Sequence, residues 1–89
     1  MGTNGAAGCY VLTRSVTYAQ ALLRILRSRG MQARMVRSPG SITENGCAHA
    51  VLVRQATPNA ILRAMSEAGM PRFRLYTTEN GTDFREFFG

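Results

Sequence analysis

The sequence predicts a single α+β domain in which two β-α-β halves share one antiparallel sheet, a βαββαβ arrangement. The first observation is an internal repeat, since residues 10–14 (YVLTR) resemble residues 50–54 (AVLVR) and residues 23–31 resemble residues 62–70. The second is that a stretch of apolar residues with helical spacing follows each of the two strand-like segments. The third is the placement of the arginines, which interrupt the second and fourth predicted strands and only end the first and third.

The first half of the repeat contains a strand over residues 9–14, a helix, and a second strand over residues 32–38. Ser15 or Thr17 can cap the helix, whose apolar residues cover about half of the helical wheel. Gly30 follows the last apolar turn and supplies the left-handed residue with which many helices end.

The second half begins after residues 39–48, a loop of turn-forming residues. Its first strand, over residues 49–54, contains an unbroken apolar run. Thr57-Pro58 predicts a helix start, because a capping residue is followed by proline at the first helical position. Gly69 ends this helix, and a fourth strand follows over residues 72–78.

The charges on the strands predict their order in the sheet. Strands without internal charge belong in the centre, and strands that carry arginine belong at the edges, where charge discourages pairing with other chains. We therefore expect a ferredoxin-like sandwich, with a four-stranded antiparallel sheet of order 4-1-3-2 and both helices on one face. We expect residues 1–8 to be disordered, residues 9–79 to form the domain, and residues 80–89 to form an aromatic tail.

The composition limits the classes of function. The chain has 89 residues and a formal net charge of +6, and all of its basic residues are arginine. This charge permits an anionic partner without choosing among nucleic acid, a membrane surface and an acidic protein. Two cysteines are too few for a disulfide framework, no metal-ligand spacing occurs, and no apolar run is long enough to span a membrane. No signal peptide is recognisable, so we expect a cytoplasmic protein.

The predicted topology directs attention to Cys47. The third strand runs antiparallel to the first, so its start lies beside the end of the first strand, where Arg14 and Ser15 lead into the first helix. A helix N-terminus carries partial positive charge and free N–H groups, which together with an arginine lower the pKa of a thiol. Arg14, Ser15 and Thr17 are therefore predicted to bind an anion or ligand beside the Cys47 thiolate.

Two neighbours of this cysteine complete the predicted site. Gly46 lets the backbone approach a ligand closely, and His49 shares a strand face with Cys47 if the strand begins there, so it can shuttle a proton. Cys9 lies one strand length away, about 17 Å, so a disulfide with Cys47 is not expected. Cys9 is expected to be a small core residue.

The order of these features resembles the small selenium/sulfur (Se/S) carrier protein-like family over about residues 10–78. The shared pattern begins with a strand that ends in Ser/Thr residues. A helix follows that contains alanine, is rich in leucine and ends at glycine. A strand ending in proline and a polar loop ending in Gly-Cys complete the pattern. The residues concerned are Thr13, Ser15, Thr17, Ala19, Gly30, Pro39, Ile42, Gly46 and Cys47. The resemblance implies that Cys47 carries sulfur or selenium as a persulfide or perselenide. Its partners would be donor and acceptor proteins, and the chemistry needs no metal or organic cofactor.

Other functions remain open at this point. A cysteine is more often buried and inert than reactive, and the chain would then be a regulatory or interaction module. In that case Phe84, Phe87 and Phe88 would either pack on the sheet or form a self-association patch, giving a homodimer. The third strand lacks the aromatic side chains with which related folds stack RNA bases, which argues against nucleic acid binding. No nucleophile–base–acid set or phosphate-binding glycine loop favours a stand-alone enzyme.

Overall fold

The computed structural model describes residues 7–13, 15–39 and 49–88. These residues form an α+β fold with five strands and two helices. In chain order the elements are β1 (Gly8–Leu12), α1 (Val16–Ser28), β2 (Gln32–Arg37), β3 (His49–Arg54), α2 (Pro58–Glu67), β4 (Arg74–Thr78) and β5 (Arg85–Phe87). None of the helices in the described part of the chain is long and apolar enough to cross a membrane.

Both helices begin at side-chain caps that the sequence predicts. Ser15 Oγ accepts a hydrogen bond from the Tyr18 backbone N–H at 3.2 Å, and Thr57 Oγ1 accepts one from the Ala60 backbone N–H at 3.2 Å. Each bond satisfies one of the N–H groups that a helix N-terminus leaves without an intrahelical acceptor, which stabilises the helix by about 1 kcal/mol. Gly30, just past the end of α1, has the positive φ of 81° that lets the chain reverse there.

The strands form one antiparallel sheet in the order β2-β3-β1-β4-β5. The four predicted strands are neighbours in the predicted order 4-1-3-2. The prediction of a four-stranded sheet was wrong, because β5 adds a fifth strand outside β4 and makes β4 an interior strand. The charge that marked the fourth strand as an edge is offset locally, since Arg74 Nε lies 3.7 Å from the Glu86 carboxylate on β5. A charged strand can therefore lie inside a sheet when its neighbour carries the opposite charge.

The main core lies between the sheet and the two helices, which share one face. Leu22 and Leu26 of α1 and Ile61 of α2 are fully buried there, against Val11 and Val53 of the central strands. Full burial of a side chain of this size contributes about 1.5–3 kcal/mol, more than either helix cap. Burial of these apolar faces therefore decides how the helices sit on the sheet.

The opposite face of the sheet is buried over its central strands. Its apolar residues are Tyr10, Leu12, Ala50, Leu52 and Tyr76. Phe84, from the connection between β4 and β5, packs its ring edge-on against Tyr10, with ring centroids 5.2 Å apart and planes at 80°. Phe87 packs against the helix-side core. The aromatic tail thus covers the sheet at Phe84 and Phe87, which was one of the two roles expected for it.

Candidate functional site

The candidate site lies at the end of the sheet where β1 ends and β3 begins. In the β1–β3 pairing Leu12 lies opposite Ala50, so the next residue on each strand, Thr13 and His49, flank the same end of the sheet. Ser15, two residues after Thr13, caps α1. The prediction that the start of the third strand meets the end of the first, beside the N-terminus of the first helix, is therefore confirmed.

Thr13 connects the strand end to the helix start. Its side chain is only 1% exposed, and its hydroxyl donates a hydrogen bond to the Ser15 carbonyl oxygen at 3.2 Å. This bond holds the turn between β1 and α1 and so fixes where the helix N-terminus lies. The first turn of α1 contains no acidic side chain, so no carboxylate there offsets the partial positive charge of the helix end.

His49 is the first residue of β3 and is exposed. Alternate residues of a strand share a face, so His49 lies on the face of Val51 and Val53, which pack beneath the helices. Thr13 shares that face, because Val11 also packs in this core. The imidazole and the Thr13–Ser15 turn therefore lie at the same rim of the sandwich.

Arg37 completes this rim from the other side. It is the last residue of β2, is exposed, and lies directly opposite His49 in the β2–β3 pairing. The segment that joins β2 to β3 therefore leaves and re-enters the sheet at this end. Sequence reasoning did not select Arg37 or Thr13 as site residues. The predicted pairing of the second and third strands was the signal that could have identified Arg37.

The predicted site residues are only partly described by the structure. Ser15, Thr17 and His49 lie at the end of the sheet where they were expected. Cys47, Gly46 and Arg14 lie outside the described residues, so their roles stay predictions. Within the described ranges, no group of three or more His, Cys, Asp or Glu side chains could hold a metal ion.

Cys9 is set apart from this end of the sheet. It is a free cysteine with 3% of its surface exposed, and its thiol donates to the Ala56 carbonyl oxygen at 3.7 Å. Burial raises its pKa above the ordinary value of 9.0. Cys9 lies four residues from Thr13, a distance of about 13 Å along an extended strand. It is therefore a core residue, and its thiol stays protonated at neutral pH.

A family model described as "Putative Se/S carrier protein-like" matches residues 8–77. This match runs from the first residue of β1 almost to the end of β4 and includes both helices. The chain belongs to this family. The Se/S carrier-like assignment agrees with the resemblance noted in the sequence. No curated protein matches the chain, and no solved structure does. In this member of the Se/S carrier-like family, β5 lies outside the matched residues.

Proposed function

We propose that the chain carries one sulfur or selenium atom on Cys47, as a persulfide or perselenide, between a donor and an acceptor protein. Membership of the Se/S carrier-like family supports this proposal, because the matched residues 8–77 include Cys47. The observation that carries it is the strand register at the rim formed by Thr13, Ser15 and His49. In the sequence, Cys47 precedes His49, the first residue of β3, by two positions.

The rim provides the conditions that a carrier thiol needs. A thiolate is stabilised near a helix N-terminus and near basic side chains. Here α1 begins at the same end of the sheet as β3, and Arg37 lies opposite the first residue of β3. His49 would accept the proton of the Cys47 thiol before transfer and return it to the product. Cys9, buried at a distance with a raised pKa, does not compete for the transferred atom.

The transfer is balanced without an external oxidant or reductant. The Cys47 thiolate attacks the outer sulfur or selenium of the donor's persulfide or perselenide. The bond between that atom and the donor's sulfur breaks as the bond to Cys47 Sγ forms, and the electron pair leaves on the donor's thiolate. An acceptor nucleophile then attacks the same outer atom, and Cys47 leaves as a thiolate.

Loading measured by intact-protein mass spectrometry tests the proposal. The protein is incubated with a low-molecular-weight persulfide, and the mass increase of one sulfur atom is followed in wild type, Cys47→Ser and Cys9→Ser. Only Cys47→Ser should lose loading. Loading that persists in Cys47→Ser, or that depends equally on both cysteines, would sink the proposal. His49→Gln should still load but show a changed pH profile for loading.

The interaction-module alternative has lost part of its basis. It relied on an aromatic tail available for self-association. Of the three phenylalanines of that tail, Phe84 and Phe87 are packed within the fold, and Phe88 is exposed. The aromatic side chains of the central sheet do not offer a stacking surface either, because Tyr10 and Tyr76 are buried. The first observation weakens self-association and the second weakens base stacking, which leaves the carrier function as the better supported proposal.

A further inference from the structure

A groove with several arginines runs along β2, the strand at one edge of the sheet. It encloses about 290 Å³ and is lined by Arg27 at the end of α1, Arg34 on β2 and Arg54 at the end of β3, over the apolar side chains of Met31 and Leu52. Arg37 lies on the same strand, at the end where β3 begins. Arg27, Arg34 and Arg54 are called the β2-edge arginines below, and all three are exposed. Arg37 lies on the opposite face of β2, because it pairs with His49, which shares a face with Val51 and Val53.

The positions of the β2-edge arginines bring like charges close together. Arg54 lies opposite Gln32 and Arg34 lies opposite Leu52, so Arg34 and Arg54 are diagonal neighbours on one sheet face, with Cα atoms roughly 7–8 Å apart. Arg27 Nε donates a hydrogen bond to the Ala33 carbonyl oxygen at 3.0 Å, which holds its guanidinium over the strand edge. The groove therefore presents several guanidinium donors to anionic groups, and one of them, Arg27, is held in place by the backbone.

The acidic side chains of the described chain lie elsewhere. Glu67 pairs with Arg29 at 2.8 Å, and Glu86 pairs with Arg74 on the opposite half of the sheet. Glu79 and Asp83 lie in the connection between β4 and β5. Among the described residues, those that line the β2 groove include no carboxylate. Among the described residues, no carboxylate of the groove lining therefore offsets its positive charges.

We propose that the β2-edge arginines dock an acidic segment of the protein that exchanges sulfur or selenium with this chain. This inference rests on the proposed carrier function and names the chemistry of the partner. An extended segment can pair with the open edge of β2 while its carboxylates contact the guanidinium groups, which suit bidentate contacts. Strand β2 ends at Arg37, opposite His49. A partner bound along β2 would therefore lie close to the start of β3, which follows Cys47 in the sequence.

The lining of the β2 groove fits a protein segment better than a nucleic acid strand. Proteins that bind single strands combine basic grooves with aromatic side chains on which bases stack. In the described chain the aromatic side chains on this sheet face are Tyr10, Tyr76 and Phe84. The two tyrosines are buried, and Phe84 is packed edge-on against Tyr10. The groove itself is lined by arginine, glutamine, methionine and aliphatic side chains. Carboxylates on an extended peptide fit this lining without stacking.

Fluorescence anisotropy with a short labelled oligoglutamate peptide tests the docking surface. The double variant Arg34→Gln/Arg54→Gln should weaken binding about tenfold, since two guanidinium–carboxylate contacts are lost. The matched control is Arg63→Gln/Arg85→Gln, which removes the same charge from α2 and from β5. At physiological salt the control should change affinity by less than about twofold, because distant charges are screened.

Three results would overturn the docking proposal. Equal weakening of peptide binding by both double variants would mean that the affinity depends only on the net charge of the protein. Tighter binding of a single-stranded oligonucleotide of the same charge would assign the edge to nucleic acid. Self-assembly of the wild type that the first double variant abolishes would make a second copy of the chain the occupant.

The carrier function is tested separately from docking. Peptide binding should be unchanged in Cys47→Ser, and loading of Arg34→Gln/Arg54→Gln by a low-molecular-weight persulfide should equal that of wild type. If loading fails while the two double variants still differ in peptide affinity, the carrier proposal is wrong and the docking surface stands. If loading succeeds but the two double variants bind the peptide equally, the docking proposal is wrong and the carrier proposal stands.

Discussion

Replacing Phe84 by alanine measures how much the aromatic tail contributes to the fold. Truncating a fully buried phenylalanine costs about 3–5 kcal/mol. Phe84 is buried only in part, and its edge-on contact with Tyr10 is included in that cost, so we expect Phe84→Ala to lower the free energy of unfolding by about 2 kcal/mol. For a domain of this size that corresponds to a fall in Tm of roughly 8–16 °C.

Phe88→Ala is the matched control. The Phe88 side chain is 72% exposed, and the hydrogen bond that its carbonyl oxygen accepts from Arg72 survives the substitution. Its free energy of unfolding should therefore stay within about 0.5 kcal/mol of wild type. Urea and thermal unfolding followed by circular dichroism give both values. Equal losses in the two variants, or none in Phe84→Ala, would show that the tail does not pack on Tyr10 as described.

Two further predictions concern the helix caps and the buried cysteine. Ser15→Ala and Thr57→Ala should each lower the free energy of unfolding, measured in urea, by about 1 kcal/mol. The two effects should add, because the caps lie at opposite ends of the sheet. A double variant that is no less stable than either single variant would contradict this. Because burial raises the pKa of Cys9, the native state keeps a proton that the unfolded chain releases above about pH 9. The free energy of unfolding should fall as pH rises through that range, and Cys9→Ser should reduce the fall; an unchanged slope would contradict the assignment.

Much of the fold could be predicted from local signals. Helix α2 begins at Pro58, as predicted from Thr57-Pro58, and β3 spans His49–Arg54, where its apolar run was found. The central position of β1 and β3 followed from their lack of internal charge. These features are encoded in capping chemistry and burial, which act over a few residues.

The fifth strand could not be predicted in the same way. Arg85–Phe87 is only three residues long and contains two charged side chains, so it has no apolar periodicity. It is held by pairing with β4, where Leu75 lies opposite Phe87 and Tyr76 opposite Glu86. Such pairing is a property of the assembled sheet. The turn at Asn80-Gly81 before an aromatic segment was the available signal for a hairpin.

The candidate site followed from topology more than from motif. The antiparallel relation of the first and third strands was enough to bring His49 beside the Thr13–Ser15 turn. The buried state of Cys9 was also expected from its place in the first strand. Arg34 was expected on an edge strand, but its convergence with Arg27 could not be predicted, because it depends on how the end of α1 packs against β2.

The short fifth strand has a consequence for solubility. A sheet with two long open edges can add copies of itself at both sides and grow without limit. Here one edge is β5, with only three residues in strand conformation, and the other is β2, which carries Arg34 and Arg37. One edge is too short to serve as a template for aggregation, and the other repels its own copy by charge. Among the described strands, both edges of the sheet therefore disfavour edge-to-edge polymerisation.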